Sequence, residues 1–182
     1  MTPSAPTRTY PMRYGGGLFL CCVGAAIALG ALLGGNAIAP LLLGGFIVGT
    51  ISIFAVRTIV AKRYGRPTQR QVQLMIVAIA LELAGFIALS WLTSNGALPR
   101  DPQFIWTSVL VIVAVHFVLM TWSFGAWILY LALAILAWVG FAMAQNLGLG
   151  AVLVGDGLMK LGFGAIMAAP LYGTQNPSPG IH

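Results

Sequence analysis

Charged side chains are scarce in this chain. Only 7% of its 182 residues are Asp, Glu, Lys or Arg, whereas soluble domains contain about 25%. Hydrophobic residues make up 59% of the chain, and the mean hydropathy is +0.95. The few charged residues could not form the polar surface that a soluble core of this size needs. The composition therefore excludes an ordinary soluble domain and indicates an integral membrane protein.

Acidic residues, histidines and cysteines are rarer still, with three, two and two copies. The adjacent Cys21 and Cys22 lie in an apolar run, where cysteines serve as small packing residues. No group of potential ligands has the spacing of a metal site. No nucleophile elbow or phosphate-binding loop is present either. The sequence therefore predicts no metal site and leaves open whether the protein is an enzyme.

Six apolar runs of about 20 residues are each long enough to span a bilayer. In lipid each run must be helical, because a helix satisfies its own backbone polar groups. The runs are residues 16–35, 37–60, 72–93, 103–122, 126–145 and 149–172. We therefore predict an all-α polytopic membrane protein, a bundle of six transmembrane helices at residues 16–172. Pro- and Ser-rich tails at residues 1–15 and 173–182 are expected to be disordered.

Basic residues concentrate in the loop between the second and third runs, KRYGRPTQRQ. They are Lys62, Arg63, Arg66 and Arg70. Two further arginines, Arg8 and Arg13, precede the first run. The positive-inside rule places both segments, and hence both termini, in the cytoplasm. We expect a multi-pass protein of the bacterial inner (cytoplasmic) membrane, with membrane lipids rather than nucleic acid as partners.

The basic loop has two interpretations, a topology signal and a binding site for anionic lipid headgroups. Pairs of glycines four residues apart, Gly30–Gly34 and Gly45–Gly49, predict close helix packing. This packing could be within the chain or between copies. The sequence therefore leaves open a homo-oligomer or a larger membrane complex.

Four ionisable residues lie inside the predicted spans and away from their ends, whereas Arg57 lies close to the end of the second span and can reach the headgroups. The four are Glu82, His116, Asp156 and Lys160. An unpartnered charge at the bilayer centre costs about 3 kcal/mol on insertion scales, so these side chains should face the bundle interior. Asp156 and Lys160 are four residues apart and share one helix face, where they can neutralise each other. We predict that the four residues form one buried polar cluster.

The cluster has two interpretations. Buried ion pairs can serve only to hold a helix in register. Ionisable residues inside a membrane are also functional candidates by default. Histidine adds to the second interpretation, because its ordinary pKa lies near neutrality and His116 could accept a proton.

Four motifs resemble the DUF6609 family, small bacterial six-helix membrane proteins of unknown function. The motifs are YGRPTQRQ after the second run, IALELAGF in the third, VAVHF in the fourth and GDGLMKLGFG in the sixth. The resemblance covers most of the chain and implies six helices. It marks Glu82, His116, Asp156 and Lys160 as positions that match the pattern, and it implies no reaction.

The stretch DGLMKLGFG is also similar to the last helix of microbial rhodopsins. In that pattern an aspartate precedes the retinal-binding lysine by four residues. The resemblance implies retinal on Lys160, with Asp156 as its counter-ion. The departures are a count of six helices instead of seven and the absence of the third-helix carboxylate pattern, unless Glu82 takes its place.

Three classes of function remain. The first is a small transporter or channel, and its more specific version is coupled to proton movement. In it Glu82 exchanges the proton, His116 relays it, and protonation breaks or re-forms the Asp156–Lys160 pair. The second is a structural or accessory subunit of a membrane complex. The third is an intramembrane enzyme or a protein that binds lipid or a chromophore.

Overall fold

The computed structural model describes residues 10–169, and within that range the chain forms six helices and no strand. Of Gly35, Asn36, Arg63 and Tyr64 only the backbone is described. The helices are α1 (Arg13–Leu33), α2 (Gly35–Tyr64), α3 (Gln69–Ser94), α4 (Pro102–Phe124), α5 (Ala126–Ala144) and α6 (Leu149–Ala168). Each is long and apolar enough to cross a membrane. The predicted all-α fold with six spanning helices is confirmed.

Some helix ends differ from those predicted. Helix α1 begins at Arg13 rather than at residue 16, and α2 continues to Tyr64 rather than ending at residue 60. Helix α6 ends at Ala168, whereas the predicted span continued to residue 172, outside the described residues. Hydropathy locates the apolar part of a helix, but a helix extends past it while its backbone bonds continue. Residues 1–9 and 170–182, which include most of both predicted tails, lie outside the described residues.

Short turns join three of the helix pairs. Gly34, between α1 and α2, has φ of 100°, and Gly125, between α4 and α5, has φ of 87°. Glycine suits both places because a side chain is strained at such positive φ values. The third turn, residues 145–148, joins α5 to α6. Turns this short make each pair an antiparallel hairpin.

The helices at the centre and at the rim of the bundle differ in how many neighbours they have. Helix α1 packs against α2 and α6, and α4 packs against α3 and α5, while α6 also contacts α5 and α4. Helices α2 and α3 each have one packing partner, α1 and α4 respectively. No described residue of α2 has its Cα within 8 Å of one in α3. These two helices therefore form the rim.

The outward faces of the bundle are apolar. Leu32, Phe54 and Trp91 have 64–70% of their surface exposed. Contiguous apolar surface of this extent is not stable in water, but it matches the hydrocarbon of a bilayer. Together with the six apolar helices, this surface makes the chain a multi-pass integral membrane protein.

Glycines bring α1 and α6 into backbone contact. A Cβ added to Gly24 would lie 2.6 Å from the carbonyl oxygen of Gly157, and one on Gly157 would lie 2.7 Å from that of Gly24. Gly17 and Gly164 form a second such pair, one Cβ of which would lie 2.6 Å from the opposite carbonyl oxygen. Only residues without a side chain allow two helices to approach this closely. These two contacts fix the depth of α6 against α1.

The predicted glycine pairs have a different place in the fold. Gly45 and Gly49 line the contact between α2 and α1, where an added Cβ would lie 2.6 Å from Ala26 and 2.8 Å from Phe19. Gly30 packs against Ile38 of α2 in the same way, while Gly34 forms the turn. The packing at Gly30, Gly45 and Gly49 is therefore within the chain.

Candidate functional site: a buried acid–base cluster

The first part of the site is an ion pair within α6. Asp156 and Lys160 are one helical turn apart, and the Lys160 ammonium donates hydrogen bonds to both carboxylate oxygens. Asp156 is fully buried and Lys160 is 3% exposed. A Cβ on Gly24 would lie 2.9 Å from Cβ of Lys160, so the backbone of α1 covers this side of the pair. The pair therefore lies at the closest approach of α1 and α6.

The second part of the site joins α3 to α4. Nε2 of His116 lies 3.6 Å from Oε2 of Glu82, and the two side chains are 7% and 18% exposed. Nδ1 of His116 lies 3.1 Å from the carbonyl oxygen of Val113. A carbonyl oxygen can only accept a hydrogen bond, so Nδ1 carries a proton and donates a hydrogen bond to this oxygen. Nε2, which faces Glu82, is therefore the ring nitrogen that can accept a further proton.

This arrangement leaves room for one exchangeable proton between the two groups. The proton can lie on Glu82, which leaves both groups neutral, or on Nε2 of His116, which makes them an ion pair. The total charge is zero in both forms. Loss of the proton leaves a net charge of −1, which a site shielded from water stabilises poorly. The pair can thus accept and release a proton with a change in local charge.

Lys160 connects the two pairs. Its ammonium interacts electrostatically with both Glu82 and His116. The structure therefore brings together the four residues of the predicted cluster, from α3, α4 and α6. Their role in function stays a prediction.

Apolar side chains separate the cluster from both ends of the bundle. Toward the end where α1 begins, the buried side chains include Leu20, Met120, Phe124 and Met167. Toward the opposite end they include Leu110, Val139, Val152 and Leu153. Glu82 is the most exposed member of the cluster and belongs to α3, a rim helix. The cluster is therefore enclosed along the bundle axis and is most open on the α3 side.

The predicted basic residues lie away from this cluster, at the end of the bundle where α1 begins. Lys62, Arg66 and Arg70 are exposed, and the side chain of Arg63 is not described. The guanidinium of Arg70 lies 6.0 Å from the ring centroid of Trp122 in α4, within reach of a cation–π interaction. Arg8 lies outside the described residues.

Sequence reasoning missed two contacts that fix α6. Arg13, assigned to the N-terminal tail, donates from Nη2 to the carbonyl oxygen of Ile166 at 3.1 Å, near the end of α6. The indole of Trp138 in α5 donates to the carbonyl oxygen of Val152 at 2.9 Å. A tryptophan inside an apolar run indicates a need for a hydrogen-bond acceptor. No local pattern indicates which helix provides that acceptor.

Cofactor sites are limited by the same geometry. Among the described residues, no group of three or more His, Cys, Asp or Glu side chains could hold a metal ion. For retinal, Asp156 has the position that a counter-ion of Lys160 needs. The α1 backbone, however, packs directly against the base of that lysine. The donor set fits a retinal site in part, and retinal on Lys160 rests on the rhodopsin resemblance alone.

Comparison with known proteins identifies a family. The model of DUF6609, a family of unknown function, matches residues 4–175. The match includes the four motifs of the sequence analysis and all four residues of the cluster. No curated protein and no solved structure matches the chain.

Proposed function

We propose that this chain, which belongs to the DUF6609 family of proteins of unknown function, is a small proton-coupled membrane transporter or channel. The observation that carries the proposal is the Glu82–His116 contact of 3.6 Å beside the buried Asp156–Lys160 pair. Ionisable groups at this depth are costly, and they mark proton and ion pathways in membrane proteins. A carboxyl and an imidazole that share one proton supply the chemistry of such a pathway.

The cluster assigns a role to each residue. Glu82, the most open of the four, exchanges the proton with the outside of the cluster. His116 takes the proton on Nε2, because Nδ1 is committed to Val113. A Glu82 left ionised beside Lys160 competes with Asp156 for the ammonium, since opposite charges attract strongly in a low dielectric. Proton loss at Glu82 thus weakens the pair that α6 carries and couples proton movement to α6.

The proposed location is the cytoplasmic membrane of a bacterium, with both termini in the cytoplasm. Its support is the distribution of basic side chains. Lys62, Arg66 and Arg70 are exposed at one end of the bundle, whereas Arg100 follows α3 at the other end, beside Asp101. The positive-inside rule assigns the basic end to the cytoplasm.

The test is proton flux in proteoliposomes that contain a pH-sensitive dye. A pH gradient is imposed with and without a pool of small solutes outside. We expect the wild-type protein to dissipate the gradient faster than protein-free liposomes, and Glu82→Gln to abolish the difference. The matched control is Asp101→Asn, which makes the same acid-to-amide change. It keeps the N-cap of α4, because asparagine caps as well as aspartate.

Two results would contradict this proposal. One is a wild-type protein that moves neither protons nor any solute of the pool. The other is an E82Q variant that dissipates the gradient as fast as the wild type. Loss of flux in D101N as well would show that the assay reports damage to the fold rather than the chemistry of Glu82.

A structural or accessory subunit is the second candidate, and the α1–α6 contact favours it. Asp156 and Lys160 are paired and buried where the two helices are closest, as is expected of an ion pair that holds α6 in register against α1. In this role the protein would co-purify with a larger membrane complex, and Glu82→Gln would change neither flux nor growth. Purification in mild detergent as a single species of its own mass would count against it.

A chromophore-binding role has the narrowest support, the four-residue spacing of Asp156 and Lys160. Addition of all-trans retinal to the purified protein tests it. A visible absorption band that Lys160→Met removes would favour this role, and a spectrum equal to that of free retinal would exclude it. An intramembrane enzyme has no further support from the geometry.

A further inference from the structure

Among the described residues, the basic end of the bundle has no acidic side chain. Lys62, Arg66 and Arg70 are exposed there. The chain has only three acidic residues, Glu82, Asp101 and Asp156. Glu82 and Asp156 belong to the buried cluster, and Asp101 caps α4 at the opposite end of the bundle. No carboxylate side chain therefore neutralises the basic end within the described part of the chain, and an external anion can do so.

The loop between α2 and α3 carries Arg66, while Lys62 and Arg70 lie in the helical turns on either side of it. Gly65 ends α2 with φ of 82°, and Pro67 favours an extended Arg66 before it. Thr68 is extended and begins α3 with a capping box, in which its hydroxyl accepts from the Gln71 N–H and its own N–H donates to the Gln71 side chain. Four residues that do not fold back on themselves thus separate the two helices.

The separation leaves a cleft between α2 and α3, since no described Cα of α2 lies within 8 Å of one of α3. Near the loop, both helices expose apolar side chains. Ile59 of α2 is 65% exposed, and Ile76 and Val77 of α3 are 57% and 51% exposed. In a membrane such a cleft is filled by acyl chains. The basic loop and the apolar cleft are therefore adjacent, as are the headgroup and the chains of a lipid.

We propose that Lys62, Arg66 and Arg70 bind the phosphate of an anionic phospholipid whose acyl chains lie in the cleft between α2 and α3. The three cations supply charge complementarity to the headgroup, and they lie in and beside the loop at the mouth of the cleft. This site does not depend on the function of the buried cluster, which lies on other helix faces.

The position of Arg70 gives this proposal independent support. Arg70 is in the first turn of α3, where the helix dipole disfavours a cation. Its guanidinium packs over Trp122, which orients it but leaves its charge exposed. A lipid phosphate at the start of α3 offsets the unfavourable interaction with the dipole.

The test is native mass spectrometry of the protein purified from nanodiscs that contain equal amounts of phosphatidylglycerol and phosphatidylcholine. We expect the wild type to retain phosphatidylglycerol on the order of 100-fold over phosphatidylcholine, since each basic residue near an anionic lipid contributes about 1 kcal/mol. Each charge removed should lower this preference roughly fivefold, and the K62Q/R66Q/R70Q variant should lose it. The matched control is K62R/R66K/R70K, which keeps every charge and should keep the preference. Arg100→Gln removes one charge at the opposite end and should also keep it.

Equal retention of the two lipids by the wild type would overturn this proposal. So would a K62Q/R66Q/R70Q variant that still prefers phosphatidylglycerol. Loss of basic residues can also alter membrane topology, so the wild type is tested separately over a range of salt concentrations. Its preference for phosphatidylglycerol should decline between about 0.05 and 0.5 M NaCl, because salt screens the attraction between exposed charges. A preference that is independent of salt would likewise contradict an electrostatic site.

Discussion

Asp156 and Lys160 belong to one helix, whereas Glu82 and His116 approach each other from two. The α6 pair is nearly inaccessible, at 0% and 3% exposed, and the lysine donates to both carboxylate oxygens. The α3–α4 pair is 3.6 Å apart, beyond a good hydrogen bond, and Glu82 is 18% exposed. Both pairs join an acid to a base at a similar depth. They differ in what holds the partners together.

That difference separates a fixed pair, Asp156 and Lys160, from a loose pair, Glu82 and His116. Helical geometry alone keeps residues four apart in contact, so the Asp156–Lys160 pair persists wherever α6 moves. The Glu82–His116 distance depends on how α3 packs against α4. Helix α3 has no other packing partner among the described elements, so a small movement of α3 changes this distance. The loose pair is therefore the one suited to respond to a proton, and the fixed pair is suited to hold charge in register.

The largest effect is expected when one partner of the fixed pair is removed. Lys160→Met leaves the Asp156 carboxylate buried without its cation, and we expect a loss of about 3–5 kcal/mol in the free energy of unfolding. The double variant D156L/K160M removes both charges and should lose less, because apolar residues replace the whole pair. Thermal unfolding in detergent micelles measures both. Equal losses in the single and double variants would show that the two side chains are not coupled.

A second prediction tests whether the α1–α6 contact supports the fixed pair. Gly24→Ala places a methyl group against the carbonyl of Gly157 and the base of Lys160, and it should cost about 1–3 kcal/mol through overpacking. Gly162→Ala is the matched control on α6, because a Cβ there would meet nothing within 4 Å. It should be neutral or stabilising by up to about 1 kcal/mol. The same denaturation assay compares the two variants. A neutral G24A would mean that the helices separate easily, and that the fixed pair owes nothing to α1.

Sequence reasoning reached the fixed pair more easily than the loose one for a physical reason. The spacing of Asp156 and Lys160 determines their contact once the segment is helical, and lipid requires a helix. Glu82 and His116 shared only a similar depth, which does not specify that α3 and α4 are neighbours. The six spans were predictable from length and hydropathy, since each exceeds the bilayer thickness.

Helix neighbours were the part that the sequence could not predict. Gly17 and Gly24 of α1 face Gly164 and Gly157 of α6, yet nothing in a seven-residue glycine spacing specifies the partner helix. The short loop after α2 likewise does not specify the packing, since α2 and α3 are joined by four residues yet do not pack against each other. Packing among apolar helices in lipid depends on shape and on small residues rather than on a hydrophobic pattern. The cleft at the basic loop is a consequence that only the fold reveals.

The smallest effect on stability is expected for the Glu82–His116 pair. A double-mutant cycle with Glu82→Gln and His116→Gln should give a coupling energy below about 1 kcal/mol, because the groups are not in direct hydrogen-bond contact and Glu82 is partly open. The corresponding cycle for Asp156 and Lys160 should give several times as much. Both cycles use the same unfolding assay in micelles. Equal coupling energies in the two pairs would remove the distinction between a fixed pair and a loose pair. A weak Glu82–His116 coupling together with loss of flux in E82Q would assign this contact to proton movement rather than to holding the bundle together.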